Sequence, residues 1–430
     1  MDILTLMNNC FLRRDRGKAS ALFGAALLCA ALPAFAGAEI STNLSIVEKY
    51  NSRGDVVRET FVDEQGNSVM AEDKAYCYAE HRYNKFPRVV ETTFHDLSGR
   101  HVNTAQGYAS IKYKWTGLGT LMQEQYVDLK GNLVNCEDGY ATLVYEYQGE
   151  KVARIAYYDA NGNPVRARGS FASQINTIDK EKGYIIKQEY FDEHGKYMLC
   201  EAGYAWVDRY YEKKELLSEA FYDADGSLVY QKGKGYARFE ATQDHQGRTI
   251  RKDYYGADNQ PINVRGGYAS VVMEYAKKMD RKPVTETYLD DEGQMVRIRD
   301  GYARVEYEYN KKNQLIKRTF YDENGLRAAN ALGYSRERTA YTMYNKPGYT
   351  RYYDENDELV IVPSLGYASV EYTYAQKDNL IREVYLDTEG NPITAENGYS
   401  AIDYTYKYDE KKKTHYLTDK SFTDPQGNPA

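Results

Sequence analysis

The chain has 430 residues, with 56 Lys plus Arg against 63 Asp plus Glu, a net charge of −7. This balance gives no basic footprint for nucleic acid, and a mean hydropathy of −0.73 argues against a membrane-spanning core. Tyrosine is the outlier, at 45 residues against 12 Phe and 2 Trp, and its apolar ring with a polar tip suits half-buried strands.

The first segment differs in kind from the rest. Arg13, Arg14, Arg16 and Lys18 precede an apolar run from Ala19 to Leu32, and Ala34-Phe35-Ala36 has the small-x-small form of a cleavage site. Residues 1–36 therefore read as a secretory signal peptide. The apolar run is shorter than the roughly 20 residues a membrane span needs, so the cleaved chain is expected to have no transmembrane span. The expected destination is the periplasm, the cell surface or the extracellular space.

From about Ile46 onward the chain repeats itself. A Gly-Tyr-Ala tyrosine recurs every 31 to 34 residues, at Tyr76, Tyr108 and Tyr140, with Phe171 as a substitute, and on to Tyr399. A second marker keeps the same period, an aromatic followed by x-Asp-x-x-Gly, from Phe61 and Phe94 to Tyr385 and Phe422. Two markers in fixed phase mean a tandem array. The predicted fold is all-β: repeats of about 32 residues, each a β-hairpin, forming an elongated solenoid or a spiralled antiparallel sheet. Residues 37–430 hold about eleven and a half units. The last unit is incomplete, because Ala430 stands where the apolar residue after Gly427 should be.

Within the unit that begins at Gly301, Val305, Tyr307 and Tyr309 alternate with Arg304, Glu306 and Glu308. Period two predicts a strand with one buried face. Asn310 to Asn313 reads as a hairpin turn, and Leu315 to Tyr321 as the second strand. Tyr307, Tyr309, Ile316 and Phe320 are expected inside, with Glu306, Glu308 and Lys317 outside. Asp322-Glu323-Asn324-Gly325 predicts a tight turn, and every complete unit has an apolar residue three positions after the turn glycine. The seventh residue after the tyrosine is aromatic in most units, including Tyr83, Trp115 and Tyr275, and reads as a rung of a stacked core.

Candidates for chemistry are few. Asp223-Ala224-Asp225-Gly226 resembles a calcium-loop fragment but lacks the further ligands a calcium loop needs, so the turn reading is preferred. No histidine has metal spacing, and His95 and His194 read as solvated loop residues. Cys77, Cys136 and Cys200 remain after cleavage, and the last two occupy equivalent positions two units apart, too far for a bridge. The second-strand carboxylates Glu59, Glu124, Glu219, Glu286 and Glu383 read as a solvated charge stripe. No arrangement meets the geometric roles of an active site, so no enzymatic activity, cofactor or metal is expected.

One stripe is a candidate binding surface. The residue after the marker aromatic is Tyr158, Phe191, Tyr222, Tyr255, Leu289, Tyr321 and Tyr353 in successive units. It points to the face opposite the marker. Such a ladder could stack on sugar rings or on an elongated partner. The plainer reading, a second row of core, is preferred because most aromatics bury themselves.

Tyr158-Asp159-Ala160-Asn161-Gly162 resembles the Tyr-Asp repeats of the bacterial Rhs type. Tyr222-Asp223-Ala224-Asp225-Gly226-Ser227-Leu228-Val229 resembles bacterial cell-wall-binding repeats. The resemblance implies an exported β-repeat surface. The expected role is non-enzymatic interaction or scaffolding in the cell envelope or outside the cell. A carbohydrate-binding array using the ladder is the alternative. The expected partners are a surface glycan, a cell-wall polymer or another envelope protein.

Overall fold

A computed structural model describes residues 44–430, apart from 169, 277–280, 376–378 and 411–412. The expected signal peptide lies outside the described residues. Among the described residues there are 24 strands and no helix, and the fold is the expected all-β array of antiparallel hairpins. The chain divides into two compact units: the first runs to Glu146 and includes Ile155–Arg168, and the second comprises Tyr147–Arg154 and Gly169–Ala430.

In the first unit each strand pairs with the next, from Ser45–Tyr50 to Thr142–Gln148. In the second the same meander runs from Ser173–Ile178 to Thr414–Thr423. Pairing within a hairpin is long and pairing between hairpins is short. Arg304–Tyr309 pairs with Leu315–Tyr321 from Arg304↔Tyr321 to Tyr309↔Leu315. The junction to the next hairpin has three pairs, Lys317↔Arg338, Arg318↔Glu337 and Thr319↔Arg336. Beyond them the Phe320 amide donates to the Ser335 carbonyl at 2.9 Å.

Both markers have local causes. In the Asp322 turn, the carboxylate Oδ1 accepts from the amides of Asn324 at 2.9 Å and Leu326 at 2.8 Å. Gly325 sits at φ +78°, where glycine has no Cβ penalty. The apolar residue three after the glycine is placed by a backbone bond: the Ala328 amide donates to the Phe320 carbonyl at 3.2 Å. The Gly-Tyr-Ala glycine answers a second demand. Gly301 is at φ +92°, and a Cβ there would lie 2.7 Å from the Ala331 nitrogen. The close approach lets the Ala331 amide donate to the Asp300 carbonyl at 2.7 Å, joining the returning loops of successive repeats.

The two markers merge into one column. In the first unit the marker aromatics and the Gly-Tyr-Ala tyrosines interleave from Phe61 to Tyr157, with ring centroids 4.7 to 5.7 Å apart. In the second, the column runs from Phe171 to Phe422. Most contacts are tilted or edge-to-face, the arrangements that ring quadrupoles prefer. Val305 is buried against the column, and Phe320 is buried within it.

Two expectations change here. Tyr307, Tyr309 and Ile316 are half-buried, as are Glu306 and Lys317, and only Glu308 of the expected outer set is exposed. The returning loops pack on the marker-aromatic end of the strands, as Val360, Val362 and Leu365 do, so burial fades toward the hairpin tips. Of the aromatics seven after the tyrosine, Tyr211 stacks on Tyr184 at 4.7 Å, but Tyr83, Trp115 and Tyr275 are held by the backbone instead. A register shift falls at Tyr83 and at Trp115, and such a bulge re-aims a side chain. Tyr83 Oη then donates to the Val56 carbonyl at 2.6 Å, Trp115 Nε1 to Val89 at 2.7 Å and Tyr275 Oη to Thr249 at 2.9 Å. Each ring is a half-buried peg into the backbone of the preceding hairpin.

Candidate interaction surface

The ladder lies on the sheet face opposite the aromatic column. Tyr158, Phe191, Tyr222, Tyr255, Leu289, Tyr321 and Tyr353 are all half-buried. Each also starts a short bridge past its turn, as in Tyr321↔Arg327 and Tyr353↔Leu359. Directly across the hairpin stands the residue two after the Gly-Tyr-Ala tyrosine. Arg238, Arg304 and Arg336 face Tyr255, Tyr321 and Tyr353. Their guanidinium groups lie 4.1, 4.4 and 4.3 Å from the ring centres, within cation–π range. Ser270 faces Leu289 and Ser369 faces Leu386, but Ser173 faces the aromatic Phe191 and Trp206 faces Tyr222.

The arginines are held from behind, which accounts for two irregular turns. Asn259 and Asp357 stand where the motif has glycine, at φ +61° and +73°. Asn259 Oδ1 accepts from Arg238 Nε at 2.9 Å, and Asp357 pairs with Arg336 at 2.5 Å and with Arg327. Asn and Asp tolerate this backbone region better than other side chains, and here their polar ends fix the cation over the ring.

Ring meets ring in one stretch of the ladder face. Phe191, Tyr197, Trp206 and Tyr222 form a continuous stack, with centroids 5.0, 4.6 and 5.1 Å apart and interplanar angles of 24°, 38° and 16°. Tyr197 Oη donates to Glu189 Oε1 at 2.6 Å, and Lys187 lies 5.5 Å from the Trp206 ring centre. Burial raises the carboxyl pKa of the neighbouring Asp208. The two inner rings of the stack, Tyr197 and Trp206, each have a ring neighbour on both sides.

The acidic stripe is not solvated. Glu59, Glu124, Glu219, Glu286 and Glu383 lie two residues before a marker aromatic and so share its inward face. Glu286 accepts from the hydroxyls of Tyr288 at 3.0 Å and Tyr307 at 3.2 Å, and Glu383 from Tyr404 at 2.8 Å. Glu219, only 2% exposed, is bound by Arg209 at 2.8 Å and by Lys234. Glu124 receives the Tyr126 hydroxyl, and burial raises its carboxyl pKa.

His194 is exposed in its turn, as expected, but His95 is not a solvated loop residue. It follows marker Phe94, so it occupies a ladder position, stacked 4.8 Å from Tyr78 and 5.5 Å from His101. In the Asp223–Ser227 turn, Asp225 Oδ1 accepts from the Ser227 amide at 2.9 Å. Cys77, Cys136 and Cys200 are free thiols. A hollow of about 320 Å³ among the returning loops is lined by Arg265, Tyr268, Tyr288, Ile298 and Asp300, a set without a nucleophile beside a base.

Neither a protein-family model nor a curated protein matches the chain. Among solved structures, TcdB2-TccC3-Cdc42 matches at 13% identity over 89% of this chain and 19% of that one, with a TM-score of 0.28. The Tc holotoxin pore of Photorhabdus luminescens matches at 11% over 86% and 20%, with a TM-score of 0.29. A porin-like protein from Bacteroides uniformis matches at 9% over 81% and 91%, with a TM-score of 0.16. The chain thus spans about a fifth of the toxin chains it matches. At these scores the likeness establishes no shared fold or role.

Proposed function

We propose that this chain is a non-enzymatic, exported repeat scaffold that acts through its surface in the cell envelope or outside the cell. One observation carries the reading. The aromatic and acidic side chains that could have formed a ligand site are taken up by neighbouring residues, in contacts that recur from hairpin to hairpin. The inner rings pack on each other, the inner carboxylates take tyrosine hydroxyls or cations, and the ladder rings lie under arginines or against other rings.

The carbohydrate reading keeps one specific support, the stack from Phe191 to Tyr222 with Lys187 and Asp208 beside it. Titrating the purified chain against a panel of glycans and peptidoglycan fragments tests both. The scaffold reading expects no saccharide binding that depends on Trp206. A glycan bound by the chain, lost in Trp206→Ala and accompanied by unchanged melting, would replace it with the carbohydrate reading.

A further inference from the structure

The net charge of −7 hides a segregation along the strands. Within the second unit, hairpin tips lie at one end of the strands and the Asp-x-x-Gly turns at the other. The tips of two successive hairpins are basic, Arg281 with Lys282 and Lys311 with Lys312, all exposed, whereas Glu212 and Glu215 flank Lys213 and Lys214, and Asp179, Glu181 and Asp244 stand at other tips. The turns are acidic, with Asp290, Asp291 and Glu292 in one, Asp354, Glu355 and Glu358 in another, and Asp387 and Glu389 in a third.

Lys282 and Lys312 are each held against the next tip by a neutral acceptor. Lys282 Nζ donates to the Asn313 carbonyl at 3.1 Å, and Lys312 Nζ to Asn345 Oδ1 at 2.7 Å. Met343 and Tyr344 stand in the same row, 78% and 45% exposed. On the other edge some carboxylates are already paired, Glu323 with Arg297 and Asp357 with Arg327 and Arg336. Glu292, Glu358 and Glu389 are exposed.

Both edges repeat once per hairpin, at two strand spacings, or about 9.5 Å. This is close to the Debye length of about 10 Å at moderate salt, so neighbouring charges on one edge reinforce each other. A partner for these tips must present negative charge at this pitch over successive repeats. The acidic edge of another copy does so by construction. The net negative charge opposes association through other surfaces, which favours this pairing.

We propose that the basic hairpin-tip edge of the second unit docks onto the acidic turn edge of a second copy of this chain. The contact is heterologous, with different surfaces from the two copies, so it can propagate beyond a dimer.

Sedimentation velocity of the purified chain tests this, between about 20 mM and about 500 mM salt. Association is expected at low salt, weakening by at least about tenfold at high salt. Two charge-reversed variants sharpen it. One carries Arg281→Glu, Lys282→Glu, Lys311→Glu and Lys312→Glu, and the other Glu292→Lys, Glu358→Lys and Glu389→Lys. Each alone should sediment as a monomer at low salt with unchanged circular dichroism. An equimolar mixture should associate again, because one variant then has acidic groups on both edges and the other basic groups on both. A wild-type chain that stays monomeric at every salt, association that survives the tip reversal, or a mixture that fails to associate would each overturn the proposal. So would a monomeric chain held by a polyanion column through the same lysines, which would assign the tip edge to an anionic polymer. A glycan found in the saccharide panel would unseat the scaffold reading without affecting this result.

Discussion

Phe320 and Tyr321 are adjacent in sequence and are held by different physics. Phe320, 2% exposed, touches Tyr302 of its own hairpin at 4.6 Å and Tyr334 of the next at 5.8 Å. Tyr321 is half-buried on the other face beneath Arg304 of its own hairpin, with its hydroxyl donating to Glu306 at 2.8 Å. The inner column therefore couples one hairpin to the next, and this part of the ladder stabilises each hairpin separately. In a repeat array that distinction decides how far a perturbation spreads.

The largest expected effect is on the inner side. Phe320→Ala should cost about 3–5 kcal/mol, and hydrogen exchange should rise in the hairpins on both sides of it before the rest of the unit. Exchange that rises evenly along the whole chain would break the comparison. Tyr321→Ala should cost less, about 1–2 kcal/mol, with faster exchange confined to its own hairpin. A Tyr321 effect as large and as widespread as that of Phe320 would erase the difference between the two faces.

The irregular turns sharpen the outer side. Asn259→Ala should cost about 1–2 kcal/mol, because alanine is strained at positive φ and also releases Arg238. Asn259→Gly should recover the backbone part of that loss and leave only the anchor missing. Equal melting temperatures for the two variants would mean that the backbone conformation contributes nothing.

The pH response should differ between inner and outer carboxylates. The pKa of Glu124 is raised by burial, so its contribution to stability is fully present below its unfolded value, about 4.3, and is lost as pH rises through its folded value. Asp322 and Asp387 are depressed, first by the backbone amides of Leu326 and Asn391. Their contribution is present above the unfolded value, about 3.9, and is lost as pH falls through the folded one. Glu124→Gln should therefore stabilise the first unit at neutral pH and leave its acid transition in place. Thermal melts from about pH 3 to pH 7 measure both limbs, and a variant less stable than wild type at neutral pH would contradict the assignment.

Much of this was legible in the residues, and the misses have physical reasons. Period two at Val305-Glu306-Tyr307 and the Asp322–Gly325 turn fix strand and turn because both are local. The carboxylates were misplaced although Glu219 and Phe221 share a face by the same rule. Charge argued for solvent, and only the folded chain brings Arg209 and Lys234 to Glu219. The cations opposite three of the ladder tyrosines could have been found by comparing repeats, since Arg238, Arg304 and Arg336 hold one motif position and Tyr255, Tyr321 and Tyr353 another. The anchoring by Asn259 and Asp357 depends on turn geometry, and sequence spacing alone does not report it.

The most direct test of the central claim, that the ladder is structure and not a ligand platform, is the double variant Tyr222→Ala with Tyr255→Ala. Its unfolding free energy and its saccharide binding should be measured on the same preparation. The account predicts a loss of about 2–4 kcal/mol in stability, with no glycan interaction that the substitutions remove. Unchanged stability together with the loss of a glycan bound by the wild-type chain would contradict it.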